Sequence, residues 1–168
     1  MTPTAKAILG EADLPKPPAH WGNLPGYGEP VDLKKIPPYV EDLGNGVTHK
    51  ARLDGSEYWR KDGELHRDGD KPAIINADGT MEWWVEGQLH RDGDQPAIIW
   101  ADGAREWYDH GKLHRDGDQP AIIAPSGTKY WYKYGLRHRD GGKPAVIWAD
   151  GGKDWWVNGD LVDPPTSK

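Results

Sequence analysis

The chain contains no cysteine, no phenylalanine and no long run of apolar residues. Without cysteine, disulfide bonds and thiolate metal sites are excluded, and a reducing compartment suits the chain. No segment approaches the roughly 20 apolar residues of a membrane span, and the N-terminus lacks a basic stretch followed by an apolar core. We therefore expect no membrane span and a cytoplasmic location, in a bacterium or in a host cell if a phage encodes the chain.

Positive charge is also scarce, with 21 Lys and Arg against 27 Asp and Glu and a formal net charge of −6. Nucleic-acid polymers and anionic membranes are bound by basic surfaces, so neither is a predicted partner. A local arginine cluster is still compatible with one small anion. The 168 residues include 22 Gly, 15 Pro, 10 Trp and 7 Tyr, which is typical of short strands joined by tight turns.

Residues 1–46 form a proline-rich zone that holds eight of the 15 prolines. Proline fixes φ and removes a backbone donor, so we predict a largely irregular N-terminal arm with one short helix near Thr4–Leu9. Apolar residues such as Trp21, Tyr27 and Ile36 favour an arm that covers an end or a face of the remaining chain. A detached, disordered tail is the alternative.

Residues 47–168 form a second domain that repeats every 24 residues. The motif "HRDGD" occurs three times at this interval, and the fourth copy is "HRDGG". Its histidines are His66, His90, His114 and His138. One tryptophan series keeps the same interval: Trp59, Trp83, Trp107, Trp131 and Trp155. A fixed period predicts units that bury their apolar surface on their neighbours. A catalytic motif is needed once per active site, so the recurrence favours a structural role.

Each unit reads as a β-hairpin, as in "PAIIWADGAREWYDHGKLHRDGDQ". Asp102-Gly103 predicts a two-residue type I′ turn that places Trp100 opposite Arg105 and Ile98 opposite Trp107. A third strand in each unit would reverse the chain direction, so we expect two strands and a long ordered connection. The predicted fold is all-β: an elongated, twisted antiparallel sheet of about five 24-residue hairpin repeats.

The repeating pieces are "WVEGQLH", "WYDHGKLH", "YKYGLRH" and "WVNGDL", which alternate with "ADG" or "SGT" turns. This pattern resembles the MORN repeat, and most closely its variant form, from residue 47 to about residue 161. It departs from the usual pattern through the acidic "RDGD" insertion and the 24-residue unit. The resemblance implies an extended β-sheet that makes protein or lipid contacts, and it implies no single function.

The recurring tryptophans and histidines are predicted structural residues. We expect Trp59, Trp83, Trp107, Trp131 and Trp155 to stack between units as the core. Each histidine is expected to bond a turn carbonyl or a carboxylate and to pack on tryptophan. Equivalent histidines would lie about 10 Å apart across two strands, too far to share a metal with Zn–N bonds of about 2.1 Å. Neither a metal site nor a cofactor is predicted.

A second aromatic series and three cations are the candidate ligand residues. Strand alternation places the aromatic residues on the opposite face, where the arm covers them or they form an exposed ladder for a base, a sugar or a peptide. These aromatic residues are Trp84, Tyr108, Tyr130, Tyr132 and Trp156. Arg137, Arg139 and Lys143 are the candidate anion site. The alternative for the recurring arginines is a local ion pair with the aspartate that follows each one.

No enzyme motif survives inspection, because neither a nucleophile with a partnered histidine nor a P-loop is present. We predict a non-enzymatic binding protein that presents a repeated aromatic and charged sheet surface to a protein partner or to itself, since open sheet edges invite pairing. One alternative is a phage-type sponge that sequesters a small, anionic, nucleotide-like signalling ligand. Another is a hydrolase whose site lies in the deviating fourth unit.

Overall fold

A computed structural model describes residues 37–165, and all regular structure in that range is β-structure. One antiparallel sheet of 13 strands runs across the molecule and is not closed. Its main path comprises β1 (Tyr39–Gly44), β2 (Val47–Ala51), β3 (Glu57–Lys61), β5 (Ile74–Ile75), β6 (Met81–Glu82), β9 (Ile98–Ile99), β10 (Arg105–Glu106), β13 (Ile122–Ile123), β14 (Lys129–Tyr130), β17 (Val146–Ile147), β18 (Lys153–Val157) and β19 (Asp160–Val162). The prediction of an all-β fold with an open antiparallel sheet is confirmed.

A row of short hairpins accompanies this main sheet. β4 (Glu64–Leu65) pairs with β3, and three separate hairpins follow along the chain. They are β7 (Trp84–Val85) with β8 (Gln88–Leu89), β11 (Tyr108–Asp109) with β12 (Lys112–Leu113), and β15 (Tyr132–Lys133) with β16 (Leu136–Arg137). The connection between main strands therefore contains a small hairpin of its own. Because that hairpin lies outside the main sheet, the direction of the main strands is preserved.

The predicted turn at Asp102-Gly103 is wrong in type and register. Arg105 pairs with Ile99 rather than with Trp100, so the hairpin is displaced by one residue. Gly103 has a φ of 90° whereas Asp102 has a negative φ, and the Gly103 and Trp100 backbones are joined by an N–H···O bond of 2.9 Å. The Asp102 carboxylate accepts the Ala104 N–H at 2.9 Å, which holds the aspartate in an ordinary turn conformation.

Type I′ turns occur instead at the tips of the small hairpins, where two successive residues have positive φ. In the third hairpin, Tyr134 and Gly135 have φ values of 49° and 90°. Each turn glycine donates its N–H to a carbonyl of the preceding hairpin, as Gly135 does to Leu113 at 2.8 Å. The turns thereby join one small hairpin to the next.

The repeated tryptophan is the residue at which the chain leaves the main sheet for the small hairpin. Trp107 donates its backbone N–H to Ala121 at 2.8 Å, and its carbonyl accepts the His114 N–H at 3.1 Å. The Trp107 side chain is 6% exposed and Ala121 is fully buried. Trp59, Trp83 and Trp131 are buried similarly, whereas Trp155 is half-buried. Large indoles and small alanines therefore alternate through the core.

The predicted arm lies largely outside the described residues, and so does the predicted helix near Thr4–Leu9. One part of the arm requires correction, because Tyr39–Gly44 forms β1 and pairs with β2. Its Asp42 and Gly44 flank a bulge that accommodates the end of the proline-rich zone. Within residues 37–165, no helix has the length and apolar character needed to cross a membrane.

Candidate functional site

The "HRDGD" loops join consecutive units through two hydrogen bonds of different kinds. The last aspartate of each loop adopts a positive φ, which is 55° at Asp94, and so exposes both its carbonyl and its carboxylate to the next unit. The Trp107 indole donates to the Asp94 carbonyl at 3.1 Å. The same bond forms between Trp83 and Asp70 and between Trp131 and Asp118. The loop therefore positions the core indole of the following unit.

The carboxylate of the same aspartate binds the following unit's arginine. Arg115 donates from Nε and from the terminal Nη2 to the two Asp94 oxygens at 2.7 and 3.0 Å. Its guanidinium also lies 3.9 Å from the centre of the Trp107 ring. The pairs Arg91–Asp70 and Arg139–Asp118 have the same bidentate geometry. Each of these three arginines thus bonds an aspartate 21 residues earlier instead of the aspartate that follows it in the sequence.

These contacts lower the pKa of the acceptor carboxyls. Hydrogen bonds from the arginines hold the pKa values of Asp70 and Asp94 below the usual range. For Asp118 the hydrogen bond from Arg139 is the larger cause, and a second bond from Lys143, at 2.7 Å, adds to it. Two of the three cations predicted as an anion site therefore already share one carboxylate.

The motif histidines bond both to their own loop and to the next small hairpin. Nδ1 of His114 accepts the Tyr134 N–H at 3.4 Å, so Nε2 carries the ring proton and donates it to Asp116 at 3.1 Å. The predicted carboxylate partner is present, but the expected packing on tryptophan is replaced. The His114 ring stacks on Tyr134, with centroids 4.1 Å apart, and arginine occupies the face of the tryptophan. His66, His90 and His138 accept equivalent N–H groups.

The second aromatic series is divided between two parts of the fold: Trp84, Tyr108 and Tyr132 lie in the small hairpins, whereas Tyr130 on β14 and Trp156 on β18 belong to the main sheet. All five side chains are half-buried, so they form neither a fully exposed ladder nor part of the core. Because the chain leaves the main sheet at the preceding tryptophan, simple strand alternation does not apply to Trp84, Tyr108 and Tyr132. Trp84 and Tyr108 donate to Glu82 and Glu106, both at 2.9 Å. Burial and the Glu106 contact raise the Tyr108 pKa, which keeps its hydroxyl protonated. These side chains serve the packing of the hairpin row.

Arg137 occupies a separate aromatic cluster in the fourth unit. It replaces the leucine found at Leu89 and Leu113, and its terminal nitrogen donates to the Tyr132 hydroxyl at 3.2 Å. Its guanidinium carbon lies 4.5 Å from the Trp156 ring centre and 5.6 Å from the Tyr130 and Tyr132 ring centres. Nε of Arg137 and Nε1 of Trp156 are buried without a hydrogen-bond partner among residues 37–165.

A cleft of about 330 Å³ lies where the third and fourth loops meet. It is lined by three of the predicted ligand residues, Tyr132, Arg139 and Lys143. Lys133 also lines it and bonds Asp140 at 3.0 Å. Arg137 does not line the cleft, so the structure divides the predicted cation cluster between two places. Most residues that line the cleft are polar or charged, and its Lys and Arg side chains already have carboxylate partners.

A third group of side chains, which sequence reasoning missed, lies where the residue after β8 meets the tip of the β11–β12 hairpin. His90, Asp109 and His110 each offer a ligand atom, and these atoms lie within 4.8 Å of one another. The equivalent residues of the next unit are His114, Lys133 and Tyr134, so only the first member recurs. Departure of two adjacent positions from the repeat is the sequence feature that could have identified the group.

Comparison with models of known protein families finds no match, and comparison with curated proteins finds no similar sequence.

Proposed function

We propose that the chain is a non-enzymatic interaction protein that presents its repeated sheet surface to another protein, with a second copy of itself as the first partner to test. The proposal includes about five units of the MORN-variant type and a cytoplasmic location. The absence of cysteine and the 24-residue period of the bonds between units support these parts of the proposal.

The open ends of the main sheet are the observation that carries the proposal. β1 and β19 are the terminal strands, and within residues 37–165 each pairs with one neighbour only. Val40 and Leu43 on β1 are 66% and 51% exposed, and Leu161 on β19 is 64% exposed. A terminal strand that exposes apolar side chains is suited to pairing with another chain.

The two ends predict different assemblies. Pairing of β1 with β1 of a second copy is symmetric and stops at a dimer, whereas pairing of β1 with β19 continues without closure. β1 is six residues long and β19 is three, so the β1 end offers more backbone bonds. We therefore expect a dimer through β1.

Mass measurement by light scattering across a concentration series tests this assignment. We expect a dimer for the unmodified chain and a monomer for Val40→Lys, because a lysine on the edge opposes pairing. Leu161→Lys is the matched control at the other end and should leave the dimer intact. A monomer at all concentrations would contradict self-association and leave partners of other sequence to be sought.

Sequestration of a small anionic ligand is the second candidate, and the cleft beside Tyr132 favours it. A nucleotide or cyclic dinucleotide would stack on Tyr132 and would have to displace Asp118 from Arg139 and Lys143. Thermal-shift titration with a nucleotide panel tests this candidate, with Tyr132→Ala as the variant that should abolish any stabilisation. Absence of a shift with all nucleotides would remove it.

A further inference from the structure

We propose that His90, Asp109 and His110 bind a divalent transition-metal ion, with zinc as the ion that the ligand set suits. Nδ1 of His110 lies 2.6 Å from Oδ1 of Asp109, and Nδ1 of His90 lies 3.4 Å from the same oxygen. Two imidazole nitrogens and one carboxylate oxygen match zinc, whereas calcium and magnesium prefer oxygen ligands alone. Three protein ligands leave one position of a tetrahedral ion for water.

The spacing of the ligand atoms suits one ion with small side-chain movements. Ligands of tetrahedral zinc, with bonds of about 2.1 Å, are about 3.4 Å apart. The His90–Asp109 separation of 3.4 Å already has this value. The 2.6 Å separation of His110 and Asp109 must widen, and the His110 side chain is 64% exposed and can rotate. The hydrogen bond between Nδ1 of His110 and Oδ1 of Asp109 is then replaced by a bond from each of these atoms to the ion.

His90 is held in the orientation that metal-binding histidines usually have. Its Nε2 donates to Oδ1 of Asp92 at 3.2 Å, so the Nδ1 lone pair faces the proposed site. Carboxylate support of this kind fixes the tautomer of a ligating imidazole and increases its basicity. At His90, binding would replace one weak contact, the 3.3 Å bond that the His110 N–H donates to Nδ1. The two rings lie 4.1 Å apart, so both remain close to the ion.

The repeat itself supplies the internal comparison. The motif histidine is present at all four junctions, but the two partner positions are Val85 and Glu86, Lys133 and Tyr134, or Val157 and Asn158 elsewhere. The structural role of the histidine therefore requires neither Asp109 nor His110. Because the other junctions form the same hairpins without them, this pair is free to serve a ligand.

Calorimetric titration of the untagged full chain with zinc chloride tests the proposal. We expect one ion per chain, and we expect His110→Tyr to weaken binding at least tenfold. Tyrosine occupies the same position and stacks on its histidine at the next junction, so the variant should fold. Asp109→Lys, which copies Lys133, is the second variant and should weaken binding to a similar degree. Cobalt substitution should give the visible absorption of a tetrahedral site, lost in both variants.

Transfer of the ligand residues to the next junction provides a second test. Lys133→Asp combined with Tyr134→His recreates the three ligands around His114, and this double variant should bind a second equivalent of zinc. Failure of the unmodified chain to bind at millimolar zinc would overturn the proposal. So would unchanged stoichiometry and affinity in both His110→Tyr and Asp109→Lys, since the ion would then bind elsewhere.

Discussion

The interior junctions and the last junction of the repeat differ in one of the two contacts that join consecutive units. At the interior junctions the indole bonds a loop carbonyl and arginine bonds a carboxylate, as for Trp107 and Arg115 with Asp94. At the last junction Trp155 still donates to the Gly142 carbonyl, at 3.0 Å. Gly142 has no carboxylate, and Asp163 stands where the arginine would be. The indole bond is therefore common to every junction, whereas the arginine–aspartate pair belongs to the interior.

Loss of an interior tryptophan should have the largest effect. Trp107→Ala should lower the free energy of unfolding by about 3–5 kcal/mol, because it leaves a large cavity in the core. Trp155→Ala should cost about half as much, because that indole is half-buried. Urea unfolding followed by circular dichroism measures both values. Equal losses of unfolding free energy at the two positions would show that the interior and last indoles contribute equally to stability.

Removal of the arginine should have the next largest effect. Arg115→Ala should cost about 1–2 kcal/mol, because the Trp107 face loses its cation and Asp94 loses two hydrogen bonds. Asp94→Asn should cost less, about 0.5–1 kcal/mol, because the carboxylate is largely solvent-exposed and the arginine stays on the ring. Urea titrations of the two variants compare these values. A larger loss in Asp94→Asn would show that charge pairing outweighs the ring contact.

Acid should weaken the interior junctions. The pKa values of Asp70, Asp94 and Asp118 are lowered in the folded chain, so their contribution is fully present above the unfolded value of about 3.9 and is lost as pH falls through the folded values. Asp118→Asn should therefore flatten the dependence of unfolding free energy on pH below about pH 5. Urea unfolding at a series of acidic pH values measures the slope. The same slope in variant and parent would exclude Asp118 as a contributor.

Introduction of the arginine–aspartate pair at the last junction should give the smallest change in the free energy of unfolding. Gly142 has a φ of 65°, similar to the 53° of Asp70, and a Cβ there meets only Pro165 at 3.6 Å. Gly142→Asp combined with Asp163→Arg should stabilise the last junction by up to about 1 kcal/mol. Each single substitution should lack this gain, and a double-mutant cycle isolates the coupling. Zero coupling energy would show that the last junction cannot adopt the interior geometry.

The sequence predicted the fold class because period and turn residues are local features that the chain repeats. It failed on the register because Asp-Gly fits two hairpin geometries, and the choice depends on whether the Asp102 side chain accepts the Ala104 N–H. The sequence did not indicate the type I′ turns at His110-Gly111 and Tyr134-Gly135, because His and Tyr are unusual at positive φ. Contacts across the junction compensate, as in the stacking of Tyr134 on His114.

The candidate site was less predictable, because its contacts join residues that are distant in the chain. Arg139 and Lys143 were grouped by proximity in sequence, yet both bind Asp118, which lies 21 and 25 residues earlier. One feature of the sequence could have revealed the partner. Gly142 replaces the acceptor aspartate at the one junction whose arginine position holds Asp163. The two positions change together at this junction, which is the pattern expected of residues that bind each other.

The bonds between units have a consequence for how such a gene can change. They join residues 13, 20, 21 or 22 positions apart, and the same donors and acceptors return after every 24 residues. Excision or duplication of a 24-residue interior segment therefore leaves each donor facing an equivalent acceptor. We expect loss or gain of one whole 24-residue unit to yield folded chains of other lengths, in steps of one unit, with the terminal strands unchanged.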